Sequence, residues 1–136
     1  MLRSALALAT LMTVALAALA PSRVAAGQPV IATPMLTASS TGEGQRLECR
    51  VINVSKKPVT VTTELIKSDG TVASGGGGCE IAPGREGCLA SGICSATIFV
   101  CRAYCRFTGA SAKKIRGSIL LKPASTGETL VALPAQ

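Results

Sequence analysis

The six cysteines are the residues of this chain whose type and spacing could carry out chemistry. Thiols that perform disulfide exchange usually lie in a Cys-x-x-Cys motif at the start of a helix. The shortest spacing here is wider, because three residues separate Cys101 from Cys105. An even number of cysteines in an exported chain is typical of structural disulfides. We therefore predict disulfides, and neither a redox site nor a zinc cluster, among Cys49, Cys79, Cys88, Cys94, Cys101 and Cys105.

The alternation of apolar and polar residues indicates which cysteines meet. Cys49 and Cys105 lie on the apolar faces of two predicted strands, so both should point into the core and bond across it. If Pro83-Gly84 is the tip of a hairpin, Cys79 falls directly opposite Cys88, within bridging distance. We therefore predict the bonds Cys49–Cys105 and Cys79–Cys88.

Cys94 and Cys101 are then left to pair with each other. The residues between these two cysteines include no Gly or Pro on which the chain could turn. The sequence therefore leaves an alternative open, in which Cys88 bonds Cys94 and Cys79 bonds Cys101.

The chain contains no histidine. This excludes Ser-His and Cys-His nucleophile pairs and the usual histidine-containing zinc, copper and iron sites. The acidic residues match no calcium-loop pattern, and several occupy turns or solvent-facing strand positions, which does not favour a pair of catalytic carboxylates. We predict that the chain is not an enzyme and takes neither a cofactor nor a metal. The acids are Glu43, Glu48, Glu64, Asp69, Glu80, Glu86 and Glu128.

The first 26 residues have the pattern of a secretory signal peptide. Arg3 supplies a positive charge, and the apolar run from Ala5 to Ala20 is too short to span a membrane before Pro21 interrupts it. Cleavage after Ala26 predicts a secreted or periplasmic protein with no transmembrane segment. Residues 27–35 then form an N-terminal segment, and residues 36–136 form one domain.

Beyond the leader, apolar residues recur at every second position, as in strands. Leu47, Cys49 and Val51 share one face of a predicted strand, and Glu48 and Arg50 share the other. Short strands, frequent turns and no helical segment predict an all-β chain, an antiparallel, immunoglobulin-like β-sandwich of about seven to eight strands stapled by disulfides. We expect an Asp-Gly turn at Ser68-Asp69-Gly70, a turn at Ala82–Arg85, a loop at Gly75–Gly78 and a hairpin loop at Thr108–Lys113.

Several short motifs together resemble a group of small exported bacterial proteins. The motifs are Leu47-x-Cys49-x-Val51-x-Asn53-Val54, Ala82-Pro83-Gly84, Tyr104-Cys105-Arg106-Phe107, Arg116-Gly117-Ser118 and Ala132-Leu133-Pro134-Ala135. The proteins of that group are single-domain β-sandwiches of uncharacterised function, and the resemblance covers most of residues 36–136. It implies a fold and a compartment, and it carries over no functional residue.

The chain is cationic, with a net charge of +7. If the strand that ends at Phe107 and the strand that begins near Lys114 form a hairpin, one basic surface results, made by Arg102, Tyr104, Arg106, Lys114 and Arg116. A non-catalytic exported structural or interaction module is the function we expect. The alternative is a cationic secreted effector or inhibitor that binds a polyanion or an enzyme. No nucleic acid partner is expected, because aromatic and basic residues do not alternate along the chain.

Overall fold

The computed structural model describes residues 27–39, 44–94 and 100–136, and within these ranges the chain forms strands and no helix. The predicted all-β class is confirmed, with nine described strands where about seven to eight were expected. They are β1 (Val30–Ala32), β2 (Leu36–Ser39), β3 (Gln45–Asn53), β4 (Val59–Lys67), β5 (Val72–Ile81), β6 (Glu86–Cys94), β7 (Val100–Thr108), β8 (Ile115–Pro123) and β9 (Val131–Pro134).

Two antiparallel sheets make up the described fold. Sheet A has the order β1-β7-β4-β5, with β2 also paired to β7, and sheet B has the order β6-β3-β8-β9. The antiparallel sandwich is therefore confirmed, and the immunoglobulin-like assignment stays a prediction. Residues 27–35 contain β1, which pairs with β7, so this segment contributes to sheet A.

The core lies between the sheets, because apolar side chains at alternate positions of each strand point inward. In β3, Leu47, Cys49 and Val51 are buried, and in sheet A the ring of Phe107 is fully buried. Burial of a Phe side chain stabilises a fold by roughly 1.5 to 3 kcal/mol. Gly117 lies against this ring, and a Cβ at that position would overlap it.

The predicted bond Cys49–Cys105 is confirmed. It joins β3 of sheet B to β7 of sheet A, with the two Cα atoms 5.6 Å apart. Both cysteines are fully buried. The bond therefore fixes the two sheets to each other at the centre of the core.

The bond Cys79–Cys88 is also confirmed, with a Cα–Cα distance of 5.8 Å, although our reason for it was wrong. We expected the two cysteines opposite each other in one hairpin ladder, but β5 belongs to sheet A and β6 to sheet B. The turn between them crosses from one sheet to the other. Cys88 has a φ of 53° at a register shift in β6, where the chain bulges.

The confirmed bond Cys79–Cys88 excludes the alternative set of pairings. Cys101 is disulfide-bonded. The predicted pairing of Cys101 with Cys94 depends on the Cys94 side chain, which lies outside the described residues.

The predicted loop at Gly75–Gly78 is wrong, because these residues lie within β5. β5 is an edge strand with a neighbour, β4, on one side only. Glycine has no side chain to pack, and an edge strand tolerates this better than a central strand, which has neighbours on both sides. Gly75 and Gly76 have φ angles of 94° and 98°, and the register of β5 against β4 shifts at this point. The glycines therefore form a bulge and do not end the strand.

The predicted hairpin around Thr108–Lys113 is wrong in its pairing. A turn does occupy this region, but β7 lies in sheet A while β8 pairs with β3 and β9 in sheet B. The connection therefore crosses between the sheets. The crossing also separates the residues of the predicted basic surface, because β7 and β8 lie in different sheets.

Asn53 is a buried polar residue at the end of β3 and has no exposed surface. Its side-chain nitrogen donates hydrogen bonds to the carbonyl oxygens of Lys57 and Ile81, both at 2.8 Å. Its side-chain oxygen accepts hydrogen bonds from the backbone nitrogen and the hydroxyl of Ser55, also at 2.8 Å. All side-chain capacity of this amide is thus used. Asn53-Val54-Ser55 matches a glycosylation sequon, and this burial leaves a glycan no room.

The predicted signal peptide, residues 1–26, lies outside the described residues. In the part of the chain that the structure describes, no helix is long and apolar enough to cross a membrane. The disulfides themselves indicate folding in an oxidising environment outside the cytoplasm.

Candidate functional site

The five residues of the predicted basic surface do not lie on one surface. Arg102, Tyr104 and Arg106 lie on β7 in sheet A, while Lys114 precedes β8 and Arg116 lies on β8 in sheet B. Since the outer faces of the two sheets point away from each other, the prediction of a shared surface was wrong. The physical reason is the crossing between the sheets after Thr108.

The β7 part of that prediction also overlooked an acid. Arg106 lies opposite Glu64 of β4, and its Nε donates to a Glu64 carboxylate oxygen at 2.7 Å. This hydrogen bond raises the pKa of the Arg106 guanidinium. The outer face of β7 is therefore partly neutralised and is not a patch of unpaired cations.

A second group of cations lies on the outer face of sheet B, which sequence analysis did not identify as a site. We name it the cationic face and define it by outward-pointing residues of β3, β6 and β8. Its charged residues are Arg46, Glu48, Arg50, Glu86, Arg116 and Lys122, and its exposed apolar residues are Ile52, Leu89 and Ile93.

An ion network holds the middle of the cationic face. Lys122 Nζ lies 3.1 Å and 3.2 Å from the two carboxylate oxygens of Glu48, and Arg50 Nε also pairs with Glu48. Arg50 reaches Glu86 as well, at 3.1 Å. Burial raises the pKa of Glu48, but hydrogen bonds from Arg50 and Lys122 outweigh it and hold that pKa below its usual range. Glu48 is therefore ionised and fully engaged.

Arg46 lies at one end of the cationic face, and no acid among the described residues pairs with it. In the ladder it lies opposite Lys122 on one side and Ile93 on the other. None of the ion pairs between described residues includes Arg46, and its Nε is buried without a hydrogen-bond partner. This guanidinium therefore has unused capacity for an anion.

The opposite end carries Arg116, the one residue of the predicted surface that lies on the cationic face. Its Nη1 donates to the carbonyl oxygens of Ala112 and, at 3.0 Å, Ile115. These bonds hold the side chain over the turn before β8. Arg116 therefore serves the fold locally, although it adds positive charge to the face.

Exposed apolar side chains interrupt the charges of the cationic face. Ile52, Leu89 and Ile93 are 42%, 60% and 58% exposed. The solvent face of an antiparallel sheet is usually polar. Apolar groups grouped with cations are typical of surfaces that contact another molecule.

A cleft of about 220 Å³ opens between the sheets at one end of the described sandwich. Leu47, Leu65 and Ala103 form its apolar floor, and Lys67 and Arg102 stand at its mouth. Arg102 is thus placed at a recess that the sequence did not predict. The lining is mostly apolar, and its charged residues are Lys67, Asp69 and Arg102.

The residues that the structure describes contain no group of three or more His, Cys, Asp or Glu side chains that could hold a metal ion. Comparison with known proteins found no matching family model, no matching curated protein and no matching solved structure. The interpretation of the cationic face therefore depends on its own chemistry.

The strand pattern was sufficient to place Glu48 and Arg50 on an outward face. It could not place Lys122 or Ile93 beside Arg46, because that juxtaposition depends on how β3 pairs with β8 and β6. The signal that was present is the pair of cations, Arg46 and Arg50, on the polar side of the β3 segment.

Proposed function

We propose that this chain is a non-catalytic interaction module that acts outside the cytoplasm, as a secreted or periplasmic protein, and binds its partner through the cationic face. The observation that carries the proposal is the exposure of Ile52, Leu89 and Ile93 on an outer sheet face. Exposed apolar side chains gain free energy when a partner covers them, at roughly 25 cal/mol per Å² of apolar surface removed from water.

Two further observations support the compartment and the class. The disulfides that join the two sheets are typical of exported domains, and the expected leader and the resemblance to small exported bacterial β-sandwich proteins agree with that location. The chemistry of the cationic face, in which Glu48 is engaged by two cations, suits recognition rather than proton transfer.

A cationic effector or inhibitor that binds a polyanion is the second candidate. The charge of +5 that remains without the predicted leader favours it, as does the Arg46 guanidinium, which has no ion pair among the described residues. Salt concentration separates the two functions, because binding to a polyanion weakens steeply as ionic strength rises, whereas apolar contacts are not screened.

The test is a comparison of two variants as bait against native culture supernatant or periplasmic extract. Leu89→Ser with Ile93→Ser removes apolar surface from the cationic face. Val30→Ser with Val72→Ser is the matched control, since these residues are 60% and 49% exposed on strands of sheet A.

In 0.5 M salt the screening length is about 4 Å. We expect that a protein retained under this condition by the wild type and by the control variant is lost with the Leu89 and Ile93 variant. Equal retention by all three baits would show that the cationic face is not the binding surface. Retention only at low salt, unaffected by the serine substitutions, would support the polyanion binder.

A further inference from the structure

We infer that the Arg46 end of the cationic face binds a carboxylate side chain of a protein partner, with an apolar partner residue packed against Ile93. The inference depends on the proposed function and adds the chemistry of the partner. Its occupant is an acidic polypeptide segment in which acidic and apolar side chains lie close together.

The register of sheet B is the first reason. Arg46 lies directly opposite Lys122, and like charges at opposed positions destabilise a ladder. The neighbouring carboxylate of Glu48 relieves this for Lys122, which it bonds through both oxygens. Among the described residues Arg46 gains no such partner, so its charge is not compensated within the part of the chain that the structure describes.

The count of acids on the cationic face is the second reason. Glu48 serves Lys122 and Arg50, and Glu86 serves Arg50. Within the described chain this leaves no face carboxylate for Arg46, whose Nε is also without a hydrogen-bond acceptor. A guanidinium presents parallel N–H groups that match the two oxygens of a carboxylate. An incoming Asp or Glu side chain would therefore pair with the terminal nitrogens of Arg46, since the buried Nε lies out of its reach.

Ile93 distinguishes a protein from other anionic partners. This residue lies beside Arg46 in the ladder and is 58% exposed. A sulfated glycan or a nucleic acid backbone offers charge without an apolar group to cover that side chain. A second copy of this face would bring a second Arg46, while Glu48 and Glu86 of each copy are already paired with Arg50 and Lys122. An anionic membrane would have to accommodate Glu86, a carboxylate whose side chain is 37% exposed on the same face.

The experiment measures binding of short fluorescent peptides to the whole folded chain by anisotropy. One peptide alternates Leu and Glu, and a second replaces each Glu with Gln. We expect the wild type to bind the acidic peptide at least about tenfold more tightly than the Gln peptide, as one charge-assisted bidentate contact provides. Arg46→Gln should remove most of that preference, and Arg46→Lys should keep only part of it.

Lys56→Gln is the matched control, since it removes one exposed cation from the turn after β3. It should leave the acidic preference within about twofold of the wild type, as expected for a rim charge screened by salt. Circular dichroism and a cooperative melting transition establish that each variant is folded. An Arg46→Gln variant that retains the full preference would overturn the inference, as would binding of heparin or anionic vesicles that is tighter than peptide binding and depends on Arg46.

The outcome is separable from the proposed function. If the partner is lost with the Leu89 and Ile93 serine variant but retained by Arg46→Gln, the cationic face binds and the carboxylate assignment is wrong. If neither variant loses the partner, both proposals are wrong.

Discussion

Replacing Asn53 with Asp changes a single group in the most fully hydrogen-bonded side chain of the described fold. The amide nitrogen that donates to the carbonyl oxygens of Lys57 and Ile81 becomes a carboxylate oxygen, with both contacts at 2.8 Å. Both hydrogen bonds are then lost, and the new carboxylate oxygen faces the two carbonyl oxygens with no hydrogen to share. The bonds that the other oxygen accepts from Ser55 can persist.

The magnitude follows from the burial of this site. Each buried carbonyl that loses its donor costs about 1 to 3 kcal/mol, so the pair costs roughly 2 to 6 kcal/mol. A negative charge on a side chain with no exposed surface adds a desolvation cost. We expect a loss of about 4 kcal/mol or more in the free energy of unfolding at pH 7, which at ~4 to 8 °C per kcal/mol lowers the melting temperature by well over 10 °C.

The pH dependence gives the prediction a second readout. Burial and the facing carbonyl dipoles should raise the pKa of an Asp at position 53 in the folded state above its unfolded value. A raised folded pKa means that stability is fully present below the unfolded value and is lost as pH rises through the folded pKa. The defect of Asn53→Asp should therefore shrink toward pH 3 and grow toward pH 7.

The assay is urea unfolding followed by circular dichroism, with the disulfides intact, at several pH values. Ser55→Ala is the control, because it removes the hydroxyl that donates to the side-chain oxygen of Asn53. It should cost only about 1 kcal/mol, with no added pH dependence. If Asn53→Asp lies within 1 kcal/mol of the wild type at pH 7, the hydrogen-bond reasoning is wrong.

Three other perturbations test separate features. Joint replacement of Cys49 and Cys105 by Ala should lower stability by ~4 kcal/mol through the entropy of the freed loop, measured as a fall of more than about 10 °C in melting temperature; no fall would refute the structural role of the bond. Gly75→Ala should destabilise the fold by about 2 kcal/mol or more, because φ is 94° and a Cβ would overlap the Thr63 carbonyl oxygen. Gly77→Ala is the control: there is open space around Gly77, so the change should be neutral or stabilising by up to ~1 kcal/mol in the same denaturation assay. Glu48→Gln should reduce the loss of stability that the wild type shows as the pH falls below 4.5, the usual pKa of a glutamate. The folded pKa of Glu48 is lowered, so its carboxylate stabilises the fold above pH 4.5 and loses this effect once it is protonated. The same loss of stability in acid for the variant and the wild type would contradict this.

Local alternation was enough to predict most strands. Leu47, Cys49 and Val51 point inward as expected, and the strands that contain Val59 and Phe107 lie where the pattern placed them. These segments are half-buried, so the sequence period reports the buried face directly. Gly75–Gly78 could not be predicted as strand, because an edge strand with a bulge tolerates residues of poor strand propensity.

Pairing between strands was the part that sequence could not supply. The turn after Thr108 resembles a hairpin loop locally, yet the chain crosses to the other sheet, which separates Arg102 from Arg116. For the same reason Arg46 and Ile93 were not recognised as neighbours, since they come from β3 and β6. Strand partners are chosen by packing across the whole sandwich, and a local pattern contains no information on that choice.

The order of the cysteines along the chain has a consequence for how the protein matures. Cys79 is the first cysteine after Cys49, so if the chain is exported as proposed, an oxidase that joins thiols in the order in which they emerge would make Cys49–Cys79 before Cys105 is available. That linkage is not native, because Cys49 belongs with Cys105 and Cys79 with Cys88. It must be opened by attack of another thiolate, a reaction that takes seconds to hours without catalysis. The yield of natively paired protein during recombinant export should therefore be set by the supply of a disulfide isomerase rather than by the strength of the oxidant.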